Sequence, residues 1–270
     1  MVYSIVFVWT FVCSALAGDA TLKKLQTGVE ASPWEAVGRL DIGGNGFCTG
    51  ALIAPNMVLT AAHCLFSKQT GQRIDHGRIE FLAGWRNGRA SAYRNVRRAV
   101  VHPDYSYGGE LSPQRVQYDL ALLELARPIR NTRIEPFATS ESPRMGDRVG
   151  VVSYARDRSE APSLQEVCKV LALQNGVLVT SCSVDFGSSG APIFSFEDGD
   201  ARIVSVVSAK ADIEGENVSL GTDLNAPLAD LRAALDRGEG FYRSDQPTSP
   251  RISAGSERRA AGAKFIRPQE

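Results

Sequence analysis

Three short segments of the 270-residue chain carry residues able to do chemistry. The first is Leu59-Thr60-Ala61-Ala62-His63-Cys64. The second is Tyr118-Asp119-Leu120-Ala121-Leu122-Leu123. The third is Asp185-Phe186-Gly187-Ser188-Ser189-Gly190-Ala191-Pro192. Each alone has an ordinary reading: a surface or core histidine, an aspartate ahead of a strand, a glycine-serine loop. Together they supply a base, a carboxylate to orient it, and a nucleophile set in glycine-rich backbone. A serine hydroxyl is a weak nucleophile at neutral pH and needs an adjacent base. An imidazole takes the proton and later returns it to the leaving group. A buried carboxylate fixes the imidazole tautomer and stabilises the imidazolium. Glycines let backbone N–H groups approach a developing oxyanion, a contribution of about 3–4 kcal/mol per donor in comparable enzymes.

The elements that must hold these segments read as short strands. Apolar runs occur at Ala51–Ile53, Val58–Thr60, Ile79–Ala83, Val96–Val101, Leu120–Leu125, Arg148–Tyr154, Val177–Ser181, Ala191–Phe196 and Ile203–Val207. They are rich in β-branched or aromatic residues and bounded by Gly, Pro, Asn or Asp. Many short strands without alternating helices argue for antiparallel barrels or sandwiches. Residues 127–146 contain Pro128, Pro136 and Pro143 and no long apolar run, as expected of a crossover between two sub-barrels. One helix is predicted late, capped by Asn225. Pro227 lies in its first turn, Leu228, Leu231 and Leu235 line one face, and Gly238 ends it.

Composition narrows the class. Lys and Arg number 30, as do Asp and Glu, so the formal net charge is zero. That balance gives no basic footprint for nucleic acid. The ends differ from the middle. Residues 1–17 carry no charge, and the run Ile5 to Val12 precedes Ser14-Ala15-Leu16-Ala17-Gly18, the pattern of a secretory signal peptide cleaved after Ala17. The run is too short for a spanning helix, which needs about 20 apolar residues. Residues 241–270 are rich in Ser, Pro, Gly, Ala and Arg, and read as a disordered basic tail. The remaining 18–240 form the expected catalytic domain.

The three chemical segments resemble those of chymotrypsin-like (trypsin-fold) serine endopeptidases, closest to secreted bacterial trypsin-like peptidases such as the glutamyl-endopeptidase-like group. The likeness covers roughly residues 34–237. It implies an all-β fold of two packed six-stranded antiparallel β-barrels with a C-terminal α-helix. It implies His63 as general base, Asp119 as its orienter and Ser189 as nucleophile, with the N–H groups of Gly187 and Ser189 as the oxyanion hole. Ser208, in Val206-Val207-Ser208, falls where the family has a serine supporting the aspartate. His76 and His102 lie in no comparable motif, and His102, ahead of Pro103, reads as a loop residue. Cys48 and Cys64 occupy the positions of the family's histidine-loop disulfide. Cys168 and Cys182 flank a hairpin ahead of the serine loop and are expected to form a second bridge. A zinc site is disfavoured because no C-x-x-C pair or clustered histidine is present. Cys13 would leave with the signal.

The chain also departs from the family. Animal zymogens place an aspartate immediately before the serine, to pair with a newly cut N-terminus. Here that position is Ser188, and no Ile-Val-Gly-Gly-type start lies between Asp19 and Trp34. A buried aspartate without its cation would be costly, so the two absences agree. The oxyanion loop is therefore expected to be ordered without a zymogen switch, through hydrogen bonds of Ser188. Six residues before Ser189, where trypsins carry an aspartate for basic substrates, stands Ser183. Ser183 and Lys210 are the candidate specificity-pocket residues, and an Arg/Lys preference is not supported.

The reading from sequence is thus a secreted or periplasmic serine endopeptidase acting through an acyl-enzyme. Its partner is a protein or peptide substrate. No cofactor, metal, nucleic acid or stable membrane association after signal removal is expected, and a monomer is. The alternative is a catalytically silent binding protein on the same fold.

Overall fold

The computed structural model describes residues 22–44, 46–196, 199–213 and 215–241; the signal segment 1–17 and the tail from 242 onward lie outside the described residues. The first half of the chain supplies β1 (Lys23–Lys24), α1 (Gly28–Ala31), β2 (Val37–Ile42), β3 (Phe47–Ala54), β4 (Met57–Thr60), β5 (Ile79–Ala83), β6 (Ala92–Val101), α2 (Pro113–Gln117) and β7 (Ala121–Leu125). The second half supplies β8 (Arg148–Ser153), β9 (Ser163–Gln174), β10 (Val177–Thr180), β11 (Pro192–Ser195), β12 (Arg202–Ile213), β13 (Glu216–Asp223) and α3 (Asn225–Asp236).

Six strands close the first barrel in the order β2-β3-β4-β7-β6-β5. Its wall is antiparallel throughout, with Leu40 opposite Cys48, Leu59 opposite Leu122 and Val100 opposite Leu122 on the other side. The turn-forming pair Pro55-Asn56 joins β3 to β4. Side chains alternate across a strand, and the inward set, including Leu40, Leu52, Leu59, Phe81 and Leu122, is fully buried. Each such side chain contributes about 1.5–3 kcal/mol through removal from water.

The second barrel follows the order β8-β9-β10-β13-β12-β11 and closes where β8 returns to pair with β9. Val149, Val151, Val170, Leu178, Ile193, Val204 and Val207 fill it. Strand β1 adds to the outside of β9, with Lys23 opposite Leu164. The turn after it is fixed by a capping box: the Thr27 side chain accepts from the Glu30 N–H while Glu30 accepts from the Thr27 N–H.

Between β7 and β8 the chain crosses from one barrel to the other. Ile129 N–H donates to Pro55 O and Phe137 N–H to Leu52 O in the first barrel, and then Ser140 N–H donates to Ile203 O in the second. An aromatic cluster fills the seam. Trp34 lies 5.1 Å from Phe194 and 6.0 Å from Phe137, and Phe137 meets Phe194 at 4.7 Å.

The apolar runs locate nine of the strands but not β1, which is two lysines, nor β2, β9 or β13, whose faces alternate with polar residues. The late helix also differs at its start. Leu224 is the N-cap and makes no side-chain cap bond; Asn225 is already helical, and its N–H is taken by the Asp223 carboxylate. An aspartate two residues earlier thus does the capping work assigned to Asn225.

Candidate active site

His63 sits in a single 3₁₀ turn, Ala62–Leu65, that follows β4 directly. Asp119 follows α2 and precedes β7. That short helix is started by Ser112, whose side chain accepts from the Arg115 N–H, and by Pro113, whose fixed φ suits the first turn. At its end the Asp119 N–H donates to Val116 O, which turns the carboxylate inward. Since β4 and β7 are neighbours, with Thr60 opposite Ala121, the two side chains emerge from one edge of the first barrel.

Their contact is bidentate. The Asp119 carboxylate accepts from the His63 backbone N–H at 2.8 Å and faces the ring Nδ1 at 2.7 Å. Asp119 is 2 % exposed, whereas the imidazole keeps a solvent-facing edge. A hydrogen bond to an ionised acceptor is the strong kind. Holding Nδ1 in that bond leaves Nε2 free to accept a proton. The second barrel reaches the same carboxylate: the Ser208 hydroxyl, on β12, donates to Asp119. Thr222 on β13 donates to Val116 O at 2.6 Å and fixes the end of α2. Tyr105 lies close by with its hydroxyl buried. Burial first, and then the Asp119 charge, push its phenol up from the ordinary value.

The Gly187–Gly190 turn comes from the second barrel and packs against the residues just before His63. Gly190 has φ +78°, and a Cβ there would lie 2.1 Å from Thr60 Oγ1 and 2.3 Å from Thr49 O. Gly187 has φ +102°, and its Cβ would overlap the Phe47 ring at 2.5 Å. Only glycine fits either place. The Ser189 carbonyl accepts from the Thr49 N–H at 2.8 Å, and Ser189 itself is half-buried. This seats the Ser189 backbone against β3, the strand that pairs with β4, from which the histidine turn follows. Ser188 is fully buried. Its hydroxyl donates to Ser153 Oγ at 3.2 Å or Tyr154 O at 3.4 Å and accepts from the Asp185 N–H at 3.4 Å.

The specificity candidates Ser183 and Lys210 are both solvent-exposed. The Ser183 N–H is taken by Gln165 Oε1 at 2.7 Å. Lys210 lies on β12 opposite Ser219, whose buried hydroxyl pairs with Thr180 at 2.6 Å. His102 is buried, stacked on Tyr118 at 4.7 Å.

Two disulfides frame the site. Cys48 bonds Cys64, which ties the start of β3 to the histidine turn, and Cys168 bonds Cys182. Cys48, His63 and Cys64 are the one group of metal-ligand type among the described residues, but their sulfurs are bonded to each other and offer no thiolate. No described helix is long and apolar enough to cross a membrane.

Thr49, Ser153 and Tyr154 take part in holding the serine turn and are not marked by the motifs. Thr49 stands between Cys48 and Gly50, and neither its type nor its spacing signals chemistry.

Comparison with known proteins agrees with this geometry. Residues 26–219, well over half of the chain, match the family model described as Trypsin. A 101-residue stretch is 37% identical to human kallikrein-10, covering 37% of this chain and 33% of that protein. The glutamyl endopeptidase of Bacillus licheniformis is 25% identical over 171 residues, 62% of this chain and 51% of that one. The chain thus spans a third to about half of the length of these relatives. A solved Glu endopeptidase structure shares the fold with a TM-score of 0.65 at 20% identity, covering 81% of this chain and 97% of that chain. A motif set, two closed barrels and a family match over the same residues lead to one assignment: the chain belongs to the trypsin family of chymotrypsin-like serine peptidases.

Proposed function

We propose that this protein is a secreted serine endopeptidase that hydrolyses peptide bonds through Ser189, His63 and Asp119. The observation that carries the reading is the buried Asp119 carboxylate, gripped at once by the His63 N–H and ring and by Ser208. A solvated histidine and a loop aspartate have no need of that arrangement.

In the first step Ser189 Oγ attacks the scissile carbonyl carbon while its proton passes to His63 Nε2. The carbonyl oxygen becomes an oxyanion, received by the N–H groups of Gly187 and Ser189. The C–N bond then breaks as the imidazolium returns the proton to the leaving amine, and an acyl-enzyme remains. Water, deprotonated by the same imidazole, releases the acid and restores the serine. Asp119 keeps the ring oriented and stabilises its charged form without taking the proton.

Substrates are proteins or peptides. Ser183 in place of a carboxylate argues against selection of Arg or Lys. Export is supported by two disulfides, which persist in oxidising compartments, and by the uncharged segment before Gly18. The likeness to a Bacillus enzyme supports the bacterial branch of the family.

Labelling with a fluorophosphonate tests the reading. Wild type should react, and both Ser189→Ala and His63→Ala should not. A folded wild type that stays unlabelled and cleaves no peptide would instead be a binding protein on this fold.

A further inference from the structure

We infer that Thr49 is the positioning residue of the oxyanion turn, bracing it from the first barrel through its side chain. The inference rests on the serine-peptidase reading above.

The direction of a backbone N–H is set by the carbonyl on the other side of its peptide plane. For the Gly187 N–H that carbonyl is Phe186 O, which accepts from the Arg156 N–H at 2.7 Å. For the Ser189 N–H it is Ser188 O, which accepts from the Ala191 N–H at 2.9 Å. Both anchors lie within the second barrel. The two planes that alternate with them each donate within the second barrel, Ser188 N–H to Asp185 O at 2.9 Å and Gly190 N–H to Val207 O at 2.8 Å, and their carbonyls are held from the first barrel, by one residue. Gly187 O accepts from Thr49 Oγ1 at 2.9 Å, and Ser189 O accepts from the Thr49 N–H at 2.8 Å.

The Thr49 hydroxyl has its direction imposed. It accepts from the Tyr154 N–H at 3.1 Å, which leaves its single proton for Gly187. Thr49 is itself fully buried on β3, and its carbonyl accepts from Thr60 Oγ1 at 2.8 Å. Gly187 is permissive about its own backbone angles, so without the hydroxyl the 187–188 plane keeps only the Ser188 N–H bond to Asp185 O, within its own loop, and can tilt about it and carry the neighbouring N–H groups off target. Neutral hydrogen bonds between the barrels therefore shape the turn, with no charge at Ser188 involved.

Steady-state kinetics on one peptide amide, with Thr49→Val and Thr49→Ser beside wild type, test this. Loss of the hydroxyl in Thr49→Val should lower kcat by about tenfold or more, with KM within about twofold, because a misplaced oxyanion donor acts in the transition state. Thr49→Ser should recover to within about threefold of wild type. If Thr49→Val fails to fold, Thr49→Ala gives the same comparison, since it adds no bulk and keeps the N–H bond to Ser189. An active wild type with undiminished kcat in the hydroxyl-less variant overturns the role of Thr49 alone. So does a Thr49→Ser that falls as far as Thr49→Val. An unlabelled, inactive wild type overturns the peptidase reading and this inference with it.

Discussion

Ser208 and Asp119 meet across the two barrels: a hydroxyl on β12 donates to the carboxylate that holds His63. The aspartate is thus oriented from two directions. Replacing Ser208 by Ala should lower kcat/KM by about ten- to a hundredfold, the size expected for one bond to a charged acceptor. Binding contacts are untouched, so the loss should appear in kcat. Equal kcat in Ser208→Ala and wild type would mean that His63 alone fixes the carboxylate.

Ser188 bears on activation. Its partners are Ser153, the Tyr154 carbonyl and the Asp185 N–H, none of them a cation. Ser188→Asp would place an unpaired carboxylate in a fully buried position, at a cost of about 3–5 kcal/mol. The variant should melt earlier and lose activity, and cutting the chain ahead of Trp34 should not restore it. Activity that rises only after such a cut would show a latent zymogen switch.

The disulfides should separate stability from catalysis. Each closes a loop of similar size, with sequence separations of 16 and 14. Removing either by paired Cys→Ser changes should cost about 3 kcal/mol of stability by the loop-closure argument. Cys64 adjoins His63 and Cys48 adjoins Thr49, so loss of that bridge should also lower kcat. Loss of Cys168–Cys182 should leave kcat within about threefold. Thermal melts read beside kinetics decide it, and equal catalytic losses would refute the distinction.

Alkaline pH probes Tyr105 and Tyr154. Burial raises both phenols above their usual value near 10. Their unfolded forms ionise from about pH 10, whereas the folded forms stay neutral, so the unfolded chain binds fewer protons there. Stability is therefore intact below pH 10 and falls as pH rises above it. Absorbance of tyrosinate should show these two phenols titrating only with unfolding. Tyr105→Phe should shift the alkaline midpoint upward, and an unchanged midpoint would count against the assignment.

Much of the site was legible in the sequence because its chemistry needs particular residue types in contiguous strings. His63, Asp119 and Ser189 each sit in such a string; the structure pairs the first two and packs Gly190, next to Ser189, against Thr60 and Thr49. Strand β7 was legible for a different reason: all five of its residues are buried, so it reads as an apolar run. Strand β13, Glu-Asn-Val-Ser-Leu-Gly-Thr-Asp, was not, because its outward positions and its buried Ser219 and Thr222 are polar and satisfied by specific partners. Thr49 escaped notice for the same reason. Its value lies in what its hydroxyl touches, 105 residues away at Tyr154 and 138 away at Gly187, and no local pattern encodes that.

The aromatic seam of Trp34, Phe137 and Phe194 has a bearing beyond packing. His63 and Asp119 hang from one barrel, and Ser189 and Ser208 from the other. The seam sets the spacing between those two frames, as a gasket sets the spacing of two plates. Misplacement of reacting groups by about 1 Å can lower a rate on the order of a hundredfold. Under the proposed mechanism, turnover is thus a readout of how the two halves are seated, and the residues that tune it need not stand anywhere near the serine.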